Sequence, residues 1–261
     1  MTERRWVNYT LQECRIDFRD RDIVSASWVQ KSDEWVYLWF GGGGELMNEE
    51  GFHGIRAASA VDALCIAASG SLKVLKLLLK DGVGINERAK FSGRNPLQSA
   101  ALAGHTKCLE HLIAAGADLN ATDSDDMTAL MNACHLGKIK GASAAMMLIE
   151  AGADVRYVRQ GDGMTALKFA VHVCPPEVLR SLIAKGAEVD GPAGTVQTAL
   201  MIAARANNVE SLRVLVESGA DLAIRCGIPW AAGRTAEGLA EMEKKRAARS
   251  FLREARIAAG G

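Results

Sequence analysis

From residue 58 onward the chain alternates short apolar runs with short polar stretches, and the alternation repeats. A first run mixes leucine with alanine: D-A-L-C-I-A-A (62–68), N-P-L-Q-S-A-A (95–101), T-A-L-M-N-A-C (128–134), T-A-L-K-F-A-V (165–171) and T-A-L-M-I-A-A (198–204). Leucine holds one slot throughout, at Leu64, Leu97, Leu130, Leu167 and Leu200, and alanine follows three residues later at Ala67, Ala100, Ala133, Ala170 and Ala203. The intervals are 33, 33, 37 and 33 residues. A second run follows each first one, as V-L-K-L-L-L (74–79), C-L-E-H-L-I (108–113), M-M-L-I (146–149), V-L-R-S-L-I (178–183) and S-L-R-V-L-V (211–216). Glycine closes each of these, at Gly82, Gly116, Gly152, Gly186 and Gly219. Residues three apart share a helix face, and a Leu/Ile/Val stripe at helical spacing marks a face that packs. The pattern therefore predicts two helices per unit, the second ended by a glycine in the left-handed region.

Each unit opens on Asp62, Asn95, Thr128, Thr165 or Thr198, whose side-chain oxygens can accept from the free amides of a helix start. Pro96 at the next position suits the first helical residue, where a missing N–H costs nothing. Small alanines let neighbouring helices approach closely. A single unit cannot bury its own apolar face, so stability has to come from stacking. This pattern resembles the ankyrin repeat, with its T-P-L-H-x-A core, mid-repeat G-H and terminal G-A-D-x-N, seen here in G-A-D-L-N (116–120) and G-A-E-V-D (186–190). The histidine of that core is replaced by Cys65, Gln98, Met131, Lys168 and Met201, and G-H survives as Gly104-His105. A sixth, degenerate unit begins at G-R-T-A-E-G-L-A (233–240), with Glu237 in the leucine slot and a polar stretch after it, as a solvent-facing terminal cap requires. The resemblance runs over roughly residues 58–256, about three quarters of the chain. It implies a mainly α fold: an α-solenoid of five repeats plus a degenerate C-terminal cap.

Departures from the period carry more information than matches, because the fold does not demand them. The third unit is lengthened within H-L-G-K-I-K-G-A-S-A (135–144), in the turn between its helices or the helix beside it. The last finger, L-A-I-R-C-G-I-P-W-A-A-G-R (222–234), is also long and presents Trp230 beside Pro229, placed either for a partner or against the capping helix. Ankyrin-like stacks bind through finger tips and the exposed side of the first helices, which line a concave surface. Carried onto this chain, that implies partner contacts at Phe91, Arg94, Asp125, Asp126, Met127, Asn132, His135, Tyr157, Asp162, Met164, Phe169, His172, Gln197, Arg205, Trp230 and Arg234. Tyr157, Trp230, Phe91 and Met127 read as apolar anchors, in keeping with the aromatic and arginine enrichment of interface hot spots. Asp125, Asp126, Asp162 and Arg205 read as charge-based specificity, and the acidic run 123–126 points to a basic patch on the partner or to a solvated turn. His135 and His172 recur at one repeat slot and read as surface-lining residues, not metal ligands.

The period stops before residue 58, and four of the five tryptophans (Trp6, Trp28, Trp35, Trp39) lie in this region. I-V-S-A-S-W-V-Q (23–30) and E-W-V-Y-L-W-F (34–40) predict a β-hairpin, and R-I-D-F-R-D (15–20) another short strand. Gly41–Gly44 reads as a flexible break and residues 45–56 as helix or turn. The expected organisation is a small hairpin-containing module or cap over 1–57, shielding the first repeat or binding a second partner, and a repeat domain over 58–261.

Composition narrows the function classes. The chain has 261 residues, 49% hydrophobic, with 31 basic and 31 acidic side chains. A net charge of zero gives no field that would gather nucleic acid or an anionic membrane, so neither is expected as a partner. The six cysteines include no C-x-x-C pair, and no histidine stands at metal-ligand spacing from them. No cofactor, metal or catalytic group is expected. Cys14 and His53 are the one nucleophile–base pairing to weigh, and no recognisable motif surrounds them. No run of 18 apolar residues and no apolar leader is present, and the simplest location is cytoplasmic. The expectation is a protein-binding scaffold, an inhibitor or immunity protein, with a multi-partner adaptor or effector as the alternative. The oligomeric state is left open.

Overall fold

The computed structural model describes the backbone of 5–9, 14–19, 22–28, 36–40, 43–48 and 51–52, and residues 60–89, 92–192 and 194–260. They fall into two compact units, Met1–Asp125 and Asp126–Gly261.

The first unit opens with six strands: β1 (Arg5–Tyr9), β2 (Cys14–Arg19), β3 (Asp22–Trp28), β4 (Val36–Phe40), β5 (Gly43–Asn48) and β6 (Gly51–Phe52). They pair in sequence order as an antiparallel meander. The hairpin expected over 23–40 is β3 and β4, with Ser27 opposite Leu38 and Trp28 opposite Tyr37. The stretch 45–56 differs from its expectation of helix or turn. Gly43–Asn48 is strand, pairing along β4 from Val36–Met47 to Phe40–Gly43. Gly43 and Gly44 thus belong to a strand and not to a break. Local preference is a weak guide where a neighbouring strand offers a full ladder of partners.

Helices α1 (Ala60–Ala68), α2 (Leu72–Lys80), α3 (Pro96–Ala103) and α4 (Thr106–Ala114) complete this unit. Helix α1 packs on α2 and α3, and α4 covers α2 and α3. Helix α1 starts two residues before Asp62, so that aspartate sits buried in the first turn rather than capping it.

The second unit holds α5 (Ala129–Leu136), α6 (Lys138–Glu150), α7 (Ala166–Val173), α8 (Pro176–Ala184), α9 (Ala199–Ala206), α10 (Val209–Glu217), a 3-10 turn (Pro229–Ala231), α11 (Ala236–Met242) and α12 (Arg246–Ala258). Helices α5, α7, α9 and α11 pack in succession as one layer, and α6, α8, α10 and α12 form the other. The extra residues of the third repeat extend α6 to 13 residues instead of lengthening a loop.

The repeat slots are the core. Leu64, Leu97, Leu130, Leu167 and Leu200 are at most 1% exposed, and the five paired alanines are fully buried. Thr128, Thr165 and Thr198 accept from the amides of Met131, Lys168 and Met201 at 3.2, 3.3 and 3.3 Å. Asn95 and Gln98 form a reciprocal capping box, each side-chain oxygen accepting from the other's amide at 2.8 Å.

The position where the resemblance would place histidine keeps its bonding in three repeats by different chemistry. Cys65 Sγ donates to Arg94 O at 3.3 Å, Gln98 Nε2 to Ala121 O at 2.7 Å, and Lys168 Nζ to Thr195 Oγ1 at 2.7 Å. Each bond ties a first helix to the finger of the next repeat.

Candidate functional site

In the first unit the finger around residue 92 is a closed turn, with Ala89 N donating to Arg94 O at 2.8 Å and Gly93 N to Ala89 O at 2.9 Å. Arg94 then donates from Nε to the buried carboxylate of Asp123 at 3.3 Å, while its Nη2 lies 4.0 Å from Asp125. Ser124 Oγ donates to Ser92 O at 3.1 Å, which joins the two fingers. The Asp125 side chain is 70% exposed, so of the two carboxylates beside Arg94 it is the one turned to solvent. Phe91 lies outside the described residues.

In the second unit Asp126 adopts a left-handed φ of 57°. Its carboxylate accepts from the Tyr157 hydroxyl and, at 2.7 Å, from Gln160 N. These bonds hold the Asp126 carboxyl below the usual carboxylate range, and the same carboxylate pushes the Tyr157 hydroxyl up to about 12. Tyr157 therefore braces one finger against the next and presents its ring, not a free hydroxyl. Arg159 is the hub between the same fingers. It donates from Nε to Asp162 at 2.9 Å and from Nη1 to Met127 Sδ at 3.2 Å, and stacks 5.7 Å from the Phe169 ring centre. The Arg159 bond holds the Asp162 carboxyl low. His135 meets Phe169 edge to face at 5.5 Å. Arg94 with Asp123, Asp126 with Tyr157, and Asp162 with Arg159 are thus engaged internally before any partner arrives.

Two residues read as surface contacts are not on the surface. Met127 and Asn132 are buried, because they flank and follow the cap of α5 on its packed side. His135 and His172 are exposed, Met164, Phe169 and Gln197 are half-buried, and Arg234 is exposed.

At the last finger Pro229 opens a 3-10 turn that lifts Trp230, 54% exposed, onto the face of Arg205, whose guanidinium carbon lies 4.8 Å from the ring centre. Arg205 in turn donates to Glu243 Oε1 at 2.6 Å. An arginine anchored by a carboxylate and stacked on an indole offers a partner a rigid apolar plane with a fixed charge beside it. Arg234 O accepts from Cys226 N at 2.7 Å, which closes this finger.

The sequence reading missed Arg159 and Glu243, whose importance lies wholly in what they touch. It also missed four exposed aliphatic side chains, Ile139 (85%), Ile257 (59%), Val196 (49%) and Val173 (40%). Ile139 falls in the lengthened third repeat, which is the signal that could have marked it. Among the described residues, no group of three His, Cys, Asp or Glu side chains is placed to hold a metal, and no helix is long and apolar enough to cross a membrane. Cys14 begins β2, and His53 lies outside the described residues.

Comparison with known proteins gives consistent neighbours. The family described as ankyrin repeats (3 copies) matches over residues 45–123, 63–157, 107–192 and 140–226. Inversin from Canis lupus familiaris is 32% identical over 186 residues, spanning 70% of this chain and 16% of that protein. An L-asparaginase from Dirofilaria immitis is 30% identical over 165 residues, spanning 60% of this chain and 26% of that protein. The chain thus covers about a quarter or less of the length of these curated relatives. Among solved structures, a chain of the complex of Bd0816 predatory endopeptidase from Bdellovibrio bacteriovorus with immunity protein Bd3460 superposes with a TM-score of 0.65 at 27% identity. That match covers 74% of this chain and 97% of the other.

Proposed function

The chain belongs to the ankyrin-repeat family, and from that premise we propose that it binds and neutralises a partner protein, acting as an inhibitor or immunity protein toward a peptidase. The observation that carries this reading is the exposed Trp230 held rigid by Arg205 and Glu243. An ordered, half-exposed indole stacked on a paired arginine has the composition of an interface hot spot, with its ordering entropy already spent before binding. The braced fingers around Tyr157, Arg159 and Phe169 make a second pre-organised patch of the same kind in this unit. The likeness to the endopeptidase–immunity complex, which spans almost the whole of the superposed chain, supports a peptidase as the partner. The asparaginase likeness covers a quarter of that enzyme and does not carry its activity here.

The reading is tested by purifying what the full chain retains from native lysate and assaying it for peptidase activity with and without the chain. We expect one stoichiometric peptidase, inhibited by the wild type and released by a Phe169→Ala/Trp230→Ala variant. Several partners retained by that variant would instead favour the adaptor reading, with the strand-rich segment before residue 58 as the second binding site.

A further inference from the structure

Five cysteines are buried among the described residues, and two of them, from neighbouring repeats, meet. Cys134 ends the T-A-L-M-N-A-C run (128–134) on α5 and is fully buried, while Cys174 caps the C-terminus of α7 and is 5% exposed. Cys174 Sγ donates to Cys134 O at 3.5 Å, although 40 residues separate the two in sequence. Both lie in the second unit, in repeats whose helices α5 and α7 pack directly.

We propose that Cys134 and Cys174 are a disulfide site: in the folded protein they oxidise to a covalent clamp between the third and fourth repeats. A disulfide needs an S–S bond of about 2.05 Å, and the Cys174 sulfur already lies against the backbone of Cys134 across two packed helices. The pair is also chemically asymmetric. The neighbouring Cys134 holds the Cys174 thiol below the ordinary cysteine range, while the Cys174 neighbour and burial push Cys134 well up. Cys65 and Cys108 have no such partner, and burial pushes them up to about 12 and about 11. Cys174, 5% exposed at a helix end where local opening is least costly, is the attacking sulfur, and Cys134, fully buried within α5, is the resolving one.

The oxidant is a low-molecular-weight disulfide, RSSR. The Cys174 thiolate attacks one sulfur, forming Cys174–S–SR and expelling RS⁻, which takes up the proton that Cys174 released. Cys134 then loses its proton and attacks the Cys174 sulfur. The Cys134–Cys174 bond forms, the second RS⁻ leaves, and it carries off that proton. Two protein thiols are oxidised and one RSSR is reduced to two RSH. The clamp fixes the ends of α5 and α7, which carry His135 and His172 on their exposed sides.

The test treats the folded, full-length chain with oxidised glutathione, quenches by alkylation and maps the linkages by mass spectrometry. We expect a loss of two hydrogens, two of the six thiols protected, and one cross-link joining the Cys134 and Cys174 peptides. Cys134→Ser should stall as a glutathione adduct on Cys174, and Cys174→Ser should leave Cys134 unmodified. The wild type in denaturant is the control that does not depend on either variant folding. The Cys134–Cys174 pairing must make up a larger share of the cross-links in the folded protein than in denaturant. No such cross-link, a different pairing, or the same share in denaturant would each overturn the proposal.

Discussion

Gln98 donates from Nε2 to the carbonyl oxygen of Ala121 at 2.7 Å, and thereby ties the start of one helix to the finger that follows it. The same side chain accepts from Asn95 N with its Oε1 at 2.8 Å, so both ends of a buried amide are satisfied. Gln98→Ala leaves Asn95 N without its side-chain acceptor and Ala121 O without this donor in the interior. At about 1 kcal/mol per lost bond plus the desolvation left behind, the variant should lose about 2–3 kcal/mol in denaturant unfolding. Lys168→Met is the informative contrast. It removes the bonds to Gly163 O at 2.8 Å and Thr195 Oγ1 at 2.7 Å, but burial already presses against the ammonium and holds its pKa down. Methionine occupies the same slot at Met131 and Met201, so the cost should be smaller, about 1 kcal/mol. Equal losses for the two variants would show that the slot bonds do not stabilise as described.

Glycine to alanine inside a helix ordinarily gains about 1 kcal/mol. At Gly141, in the first turns of α6, the sign should reverse. A Cβ there would lie 2.6 Å from the carbonyl oxygen of Ala133 on α5, a backbone atom that cannot rotate away. Overpacking of this kind costs about 1–3 kcal/mol and should outweigh the propensity gain. Gly116 is the control for backbone strain alone, because its φ is 81° and nothing lies within 4 Å of an added Cβ. Gly116→Ala should cost about 1–2 kcal/mol. Chemical denaturation of both variants measures the two effects separately, and a stabilised Gly141→Ala would refute the close approach of α5 and α6.

The repeat skeleton was legible because its determinants are local. Leucine, alanine and cap residues recur at fixed spacing, and the slots Leu130, Ala133 and Thr128 are buried as the period requires. The surface was much less legible. Asp126 and Asp162 read alike in sequence as charged specificity residues on finger tips, and Asp123 as part of an acidic run. Arg94, Tyr157 and Arg159, each 3 to 31 residues distant, decide that they are engaged. Met127 was misread for a related reason: it precedes the Thr128 cap, and whether that position faces solvent depends on the neighbouring finger, whose Arg159 reaches its sulfur. The strand β5 was lost to local preference, since E-L-M-N-E-E favours helix until β4 lies beside it.

The Tyr157–Asp126 bond should leave a signature in pH. Tyr157 holds its proton to about 12 in the folded chain against about 10 when unfolded. Its pKa is raised, so its contribution is complete below pH of about 10 and is lost as pH climbs through about 12. Asp126 is shifted the opposite way, below 3.8, so its contribution is present above that value and lost as pH falls through the lower folded pKa. The stability difference between wild type and Tyr157→Phe should therefore be flat from mildly acidic to mildly alkaline pH and shrink at both ends. Spectrophotometric titration offers a direct check, because the wild type should show one phenolate that ionises near 12 and is absent from the variant. A tyrosine signal complete by about pH 10.5 would mean that the hydroxyl is not held by Asp126.

Arg205 and Trp230 should act as one unit in recognition. The guanidinium sits 4.8 Å from the indole centre and is anchored by Glu243 at 2.6 Å, so each side chain limits the freedom of the other. Removing the indole takes away the apolar plane, and removing the arginine frees the indole to leave its bound geometry. Each single alanine variant should weaken partner binding by about 30-fold or more, the range of a hot spot. If the two work together, Arg205→Ala/Trp230→Ala should be barely weaker than either single variant, a coupling of about 2 kcal/mol or more in a double-mutant cycle. Glu243→Gln should fall between wild type and Arg205→Ala, because it loosens the arginine without deleting it. None of these variants should change thermal stability much, since Trp230 is 54% exposed and a surface ion pair stabilises little. Isothermal titration against the captured partner decides the matter. Strictly additive losses would mean that the two side chains contact the partner independently, and wild-type affinity in Trp230→Ala would move the interface away from this finger altogether.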